Sequence, residues 1–297
     1  MSFSWASRRA RLSLIFAAAL SAAVAMAALL TATSQAATSR AATSQGAAFR
    51  WKGGARPVIV LEHGAWADAS SWDRVIAILQ REGFTVYAPP NPLRGLAYDA
   101  AYLHDFLTEN AALAGKPVVL AGHSYGGAVI SGAAVGDGEV KALVYVDAFI
   151  PAPGESIQTL LAAHTGSCIG GRPGDVFSTV PYPGGPSGDV DLYLLPGKFP
   201  GCFASGLSAG KAAELAATQR PLAASAAGEP SGPVAWTTVP SWAVVGTADQ
   251  VIPRAELLFM ARRAGAHITD VNAGHLSLIS AAHTVAHVIL QAARGTS

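Results

Sequence analysis

The sequence predicts an α/β fold, a mostly parallel sheet of about six strands with helices on both faces. Three observations predict it. From residue 57 onward, short β-branched apolar runs alternate with stretches of helical periodicity, the pattern of strands joined by helical crossovers. One such pair is joined by Gly122-His123-Ser124-Tyr125-Gly126, a G-x-S-x-G between a strand and a helix. The 297 residues are 51% hydrophobic and 13% charged, a balance that fills a large core and excludes disorder over most of the chain.

Residues 1–36 read as an export signal. Arg8, Arg9 and Arg11 form a basic start, Leu12–Leu30 is uncharged, and Ser34-Gln35-Ala36 offers small residues for cleavage. The alternative is an uncleaved membrane anchor, since the apolar stretch is nearly long enough to span a bilayer. Ser7-Arg8-Arg9 hints at a twin-arginine signal. Residues 32–46 form an Ala-Thr-Ser-Gln/Arg repeat with nothing to bury, and 37–50 read as a disordered Ala/Thr/Ser-rich linker. The folded domain is then 51–297.

Within it, Pro57–Glu62 is predicted as a strand, and Ser70–Arg81 as a helix with Trp72, Val75, Ile76 and Leu79 on one face. Phe84–Ala88 is a strand and Tyr98–Leu113 a helix. Pro117–Ala121 is a strand too short to be a helix, followed after the G-x-S-x-G by a helix to about Val135. Ala142–Val146 is a strand ending at Asp147. Regularity then stops: 151–233 is rich in Gly and Pro, with one clear helix around Ser208–Gln219. Strand Ser241–Val245, helix Pro253–Ala264, strand Ala266–Val271 and helix Leu276–Ala293 complete the chain.

The formal net charge is +1, and without residues 1–36 the chain has 17 basic and 19 acidic side chains. No basic stripe is present for nucleic acid or an anionic membrane. Membrane contact is expected only if the leader stays uncleaved.

A serine forced into a sharp strand-to-helix turn needs glycine two places either side, where a Cβ would strike the opposing backbone. Gly122 and Gly126 meet that need, and the stretch resembles the nucleophile elbow of the α/β-hydrolase family. The likeness extends from Pro57 to about Ala293. It implies a Ser–His–Asp triad with members in the order Ser, acid, His. Ser124 is the nucleophile. Asp249, after the strand-and-turn Ala243–Ala248, is the acid; Asp147, also at a strand end, is the reserve. His275, in Asn272-Ala273-Gly274-His275, is the base. The oxyanion donors are the backbone N–H groups of Tyr125 and, from His63-Gly64-Ala65-Trp66, of Ala65. His63 braces that loop, His123 is assigned to the substrate pocket, and Trp66 either walls that pocket or simply packs.

The resemblance also implies a cap over the site, at about 151–233 after the strand ending at Asp147. The departures are a missing first hairpin, since the family sheet usually has eight strands, and an unfamiliar cap. The cap holds Cys168 and Cys202, which in an exported chain are expected to pair; two buried free thiols are the alternative. Neither cysteine has metal-ligand spacing, and His283 and His287, four apart on the last helix, lack a third ligand, so no metal is expected.

The implied activity is a secreted serine hydrolase cleaving carboxylic esters of small hydrophobic molecules, without cofactor. Thioesterase, lactonase and cofactor-free haloperoxidase activities share such a triad. A binding or receptor protein with little turnover is the alternative of a different class. Hydroxynitrile lyases of similar compact sequence place a lysine near the acid, where this chain has Gln250 and Val251.

Overall fold

The structure is a computed structural model and describes residues 55–295. The expected leader, 1–36, and linker, 37–50, lie outside the described residues.

Six strands form one sheet: β1 (Val58–Glu62), β2 (Val86–Tyr87), β3 (Val118–His123), β4 (Val140–Val146) and, after the cap, β8 (Ser241–Gly246) and β9 (His267–Val271). The order is β2-β1-β3-β4-β8-β9, and every pairing is parallel. Every residue of β1 and β3 is buried, because helices cover both faces. Those helices are α1 (Asp73–Arg81), α2 (Leu96–Glu109), α3 (Tyr125–Ala133), α8 (Arg254–Arg263), α9 (Ser277–Ser280) and α10 (Ala282–Arg294). Trp72, Val75 and Leu79 are fully buried, as their spacing predicts, while Ile76 is half-buried.

From β1 the chain crosses to β2 on one side, then returns to place β3 on the other. The strand order therefore reverses between β1 and β3, and the loops leaving their carboxyl ends part there. A parallel sheet opens its crevice at such a switch point. Here the two loops are His63-Gly64-Ala65 and the turn at Ser124.

Three of the boundaries that differ from expectation have a visible cause. The first helix opens as a 3-10 turn, Ala69–Trp72, because the Asp68 carboxylate accepts the Ser70 N–H at 2.8 Å. The second helix starts at Leu96, two residues early, because its first-turn N–H groups at Leu96 and Ala97 are capped by the carboxylate of Glu229 from the cap. The last predicted helix divides at Ala281, whose φ of −125° and ψ of 35° are not helical.

The cap is more ordered than its composition suggests. Around the expected helix, found at Ala209–Thr218 (α6), lie α4 (Ile157–Ala163), α5 (Pro173–Val176) and α7 (Ala224–Gly228). Strands β5 (Phe177–Pro181), β6 (Val190–Leu194) and β7 (Leu222–Ala223) form an antiparallel sheet in that order. Cys168 and Cys202 form a disulfide with Cα atoms 5.6 Å apart, closing a 34-residue separation. Closing a loop of that length stabilises by about 3–4 kcal/mol on the chain-entropy view. Arg263 of α8 grips the cap's first turn through a two-pronged ion pair with Glu155, at 2.6 and 2.7 Å. Among the described residues no helix is long and apolar enough to cross a membrane.

Candidate active site

Ser124 sits between β3 and α3 with φ 54° and ψ −123°, a conformation that L-residues avoid. Its surroundings fix it there. Its N–H donates to Val146 O at 3.2 Å, and its C=O accepts from Gly127 and Phe149 at 3.0 and 3.1 Å. The flanking glycines are sterically required: a Cβ on Gly122 would lie 2.5 Å from Gly126 O, and one on Gly126 would lie 2.7 Å from Glu62 O.

His275 Nε2 lies 2.9 Å from Ser124 Oγ, and His275 Nδ1 lies 2.8 Å from Asp249 Oδ2. Asp249 Oδ1 accepts the N–H groups of Val251 and Ile252 at 2.8 and 3.0 Å. With both oxygens acting as acceptors, the carboxylate accepts a hydrogen bond from Nδ1–H and fixes that tautomer of the imidazole. Nε2 is then left as a lone pair facing the serine hydroxyl. Ser124, Asp249 and His275 are 2%, 6% and 0% exposed, so this relay lies away from bulk water.

Asp147 stands beside these groups without bonding the imidazole. Its Oδ1 accepts the Gly246 N–H at 2.6 Å and its Oδ2 the Ser277 N–H at 3.3 Å, so it braces the loops that carry Asp249 and His275. Burial, then the nearby negative charge of Asp249, raises its pKa to about 7.

Two further histidines are structural partners. His63 Nδ1 donates to Gly64 O at 2.9 Å, and its Nε2 accepts the Asn91 N–H at 2.9 Å; the Asn91 carboxamide returns to His63 O. These bonds need a neutral ring, and burial lowers its pKa to about 4. His123 is fully buried, and its Nε2–H donates to the His275 carbonyl at 2.9 Å, with the rings 4.8 Å apart. Burial, then the neighbouring His275, pushes its pKa well below the ordinary value.

The His63–Ala65 loop lies tight on the elbow. A Cβ on Gly64 would be 2.7 Å from His123 O, 2.8 Å from Ser124 Cβ and 3.1 Å from Tyr125 N. Ala65 is buried beside it. The next residue, Trp66, has φ 56°. Its N–H donates to Arg220 O and its indole N–H to Leu192 O, both at 2.8 Å, so the cap grips this loop twice. The Trp66 ring stacks on Phe177 at 5.5 Å and meets Phe203 edge-on at 5.8 Å; Phe203 in turn lies 5.2 Å from the His275 ring.

Sequence reasoning missed Asp99, a buried carboxylate on α2 that accepts the Tyr125 hydroxyl at 2.8 Å and so anchors the first residue of α3. It also missed Glu62, buried at the end of β1, where burial and then Asp99 raise its pKa well above the ordinary range. A carboxylate ending a fully apolar strand was the available signal for Glu62. Nothing local marks Asp99. Nothing in the Gly- and Pro-rich sequence of the cap marked Phe177 and Phe203 as neighbours of Trp66 and His275. Among the described residues no cluster of three or more potential metal ligands occurs.

The chain has relatives of known sequence and structure. A curated carbendazim-hydrolysing esterase from Nocardioides sp. (strain SG-4G) is 34% identical over 111 residues, 34% of this chain. The match spans 46% of that esterase, about half its length. Solved structures of similar fold include polyneuridine aldehyde esterase, at 17% identity and a TM-score of 0.65 over 80% of this chain and 98% of that one. A pyrethroid hydrolase from Sphingobium faniae JZ-2 gives 19% and 0.60 over 80% and 97%. Tomato methylketone synthase I with 2-tridecanone gives 20% and 0.65 over 82% and 99%. Residues 58–288 match the sequence profile of the Alpha/beta hydrolase family, and with the all-parallel sheet and the strained turn at Ser124 this chain belongs to that family.

Proposed function

We propose that this protein is an exported serine hydrolase that cleaves carboxylic esters of small hydrophobic molecules through an acyl-enzyme. The observation that carries the reading is the pair of contacts at His275, 2.9 Å to Ser124 Oγ and 2.8 Å to Asp249 Oδ2. Ser124 Oγ attacks the ester carbonyl while His275 Nε2 takes its proton. Asp249 stabilises the imidazolium that forms. The carbonyl oxygen becomes an oxyanion, held by the N–H groups of Ala65 and Tyr125. Collapse expels the alcohol, which takes the proton from His275. Water, activated by the same imidazole, then releases the acid and restores Ser124. No metal or organic cofactor enters the scheme.

The apolar character of the substrate rests on the aromatic cluster of Trp66, Phe177 and Phe203, which meets the His275 ring through Phe203 at 5.2 Å, with the His123 ring 4.8 Å from the same imidazole. Relatives named for hydrolysis of carbendazim and pyrethroids agree with a small-molecule ester. Export rests on residues 1–36, and N-terminal mass spectrometry of the secreted protein tests it. A panel of p-nitrophenyl esters, thioesters and lactones tests the reaction class. Esters turned over best by wild type, with Ser124→Ala inert, support the reading. Preference for thioesters or lactones would reassign the substrate, and ligand retention without turnover would point to a receptor.

A further inference from the structure

The Cys168–Cys202 bridge joins two cap segments, one bonded to the peptides that hold Asp249 and one in contact with His275. On one side, Asp249 Oδ1 is held by the N–H groups of Val251 and Ile252. The carbonyls of those same two peptide units belong to Gln250 and Val251. Both are gripped from the opposite side: Cys168 N–H donates to Gln250 O at 2.8 Å, and Ser167 Oγ donates to Val251 O at 2.6 Å. Each peptide plane that orients the acid is therefore pinned between Asp249 and the Ser167-Cys168 segment. A donor on the carbonyl also polarises the N–H at the other end of the peptide.

On the other side, Cys202 is buried in a turn fixed by its own N–H on Lys198 O and by Ala204 N–H on Phe199 O. That turn presents Phe203 to the His275 ring at 5.2 Å. It also presses Ser205 on the residue before the base: a Cβ on Gly274 would lie 2.4 Å from Ser205 O.

We propose, resting on the serine-hydrolase reading above, that the Cys168–Cys202 disulfide and Ser167 are positioning residues for catalysis, holding the Asp249 loop and the His275 loop in register from the cap. The bridge acts through the two peptide planes and through Phe203, and touches neither substrate nor reacting atoms.

The test compares wild type, Cys168→Ser/Cys202→Ser and Ser167→Ala with p-nitrophenyl acetate, an ester with a small acyl group, at a temperature where each protein is folded by near-ultraviolet circular dichroism. Misplacing the acid–base pair lowers kcat by about tenfold or more in the bridge variant, with KM within about threefold. Ser167→Ala, which keeps the bridge, gives a smaller fall in kcat, and the combined variant loses less than the sum of the two. The low-field proton resonance of the His275 Nδ1–H bond weakens in step, a readout independent of turnover. A folded bridge variant with wild-type kcat and an intact low-field proton overturns the proposal. Should that variant not fold, Ser167→Ala decides, and an unchanged kcat there overturns it. Wild type that neither turns over esters nor reacts at Ser124 overturns the hydrolase reading and the positioning role with it; active wild type with an equally active bridge variant overturns the positioning role alone.

Discussion

Asp249 and Asp147 both end on the same imidazole loop, yet only Asp249 meets the His275 ring: its Oδ2 lies 2.8 Å from Nδ1, while Asp147 is turned to the backbone N–H groups of Gly246 and Ser277. Both carboxylates follow parallel strands that are neighbours in the sheet, and they lie near enough for the charge of Asp249 to act on Asp147.

That relationship separates their roles in kinetics. Asp249→Asn removes the acceptor that fixes the imidazole tautomer and is expected to lower kcat by about 10⁴. Asp147→Asn keeps an oxygen for Gly246 N–H and is expected to cost less than about tenfold in kcat, by the same differential-stabilisation argument. Steady-state kinetics on one ester checks both.

The raised pKa of Asp147 has a consequence for stability. Its folded value of about 7 exceeds that of an unfolded aspartate, so between about pH 4 and 7 the folded state holds a proton that the unfolded state has lost. The stability this group contributes is full below about pH 4 and falls as pH rises to 7, by about 4 kcal/mol at most. Urea midpoints across that range are expected to show the downward component in wild type and to lack it in Asp147→Asn.

His63 acts in the opposite sense. Its folded pKa of about 4 lies below that of an unfolded histidine. As pH falls from about 6.5 to 4 the unfolded chain takes up a proton that the folded ring refuses, and about 3 kcal/mol of stability is lost. His63→Gln is expected to flatten that acid limb, and the difference between the two proteins' pH–stability curves isolates it from Asp147.

Gly64 tests the oxyanion loop. An added methyl would strike the backbone of His123 and the Cβ of Ser124, neither of which can yield cheaply. Gly64→Ala is expected to lift the loop from the elbow and lower kcat by about 10²–10³, the cost of one lost oxyanion donor. Gly210→Ala, where a Cβ meets nothing within 4 Å, serves as the control with wild-type kcat.

The core strands were legible because burial on both faces leaves an unbroken apolar run, as in Val118–Ala121 or Ala142–Val146. Ser124, Asp249 and His275 were legible as candidates because each follows a strand end in a fixed chain order. The cap sheet was not: β5 is mostly exposed, and Phe177-Ser-Thr-Val-Pro181 offers no clean alternation. Nor was the early start of α2, since its cap, Glu229, lies more than 130 residues away. The same holds for His123, whose meaning depends on the carbonyl of His275, and for Asp99 beneath Tyr125. What escaped sequence reading was long-range polar pairing, which leaves no periodic trace.

The most direct test of the account is the covalent intermediate itself. Rapid mixing of wild type with p-nitrophenyl acetate is expected to release a burst of p-nitrophenolate stoichiometric with enzyme, and peptide mapping of the fluorophosphonate-treated protein is expected to find the adduct on Ser124. A folded Ser124→Ala protein that hydrolyses the ester at the wild-type rate, or an adduct on any other residue, would contradict it.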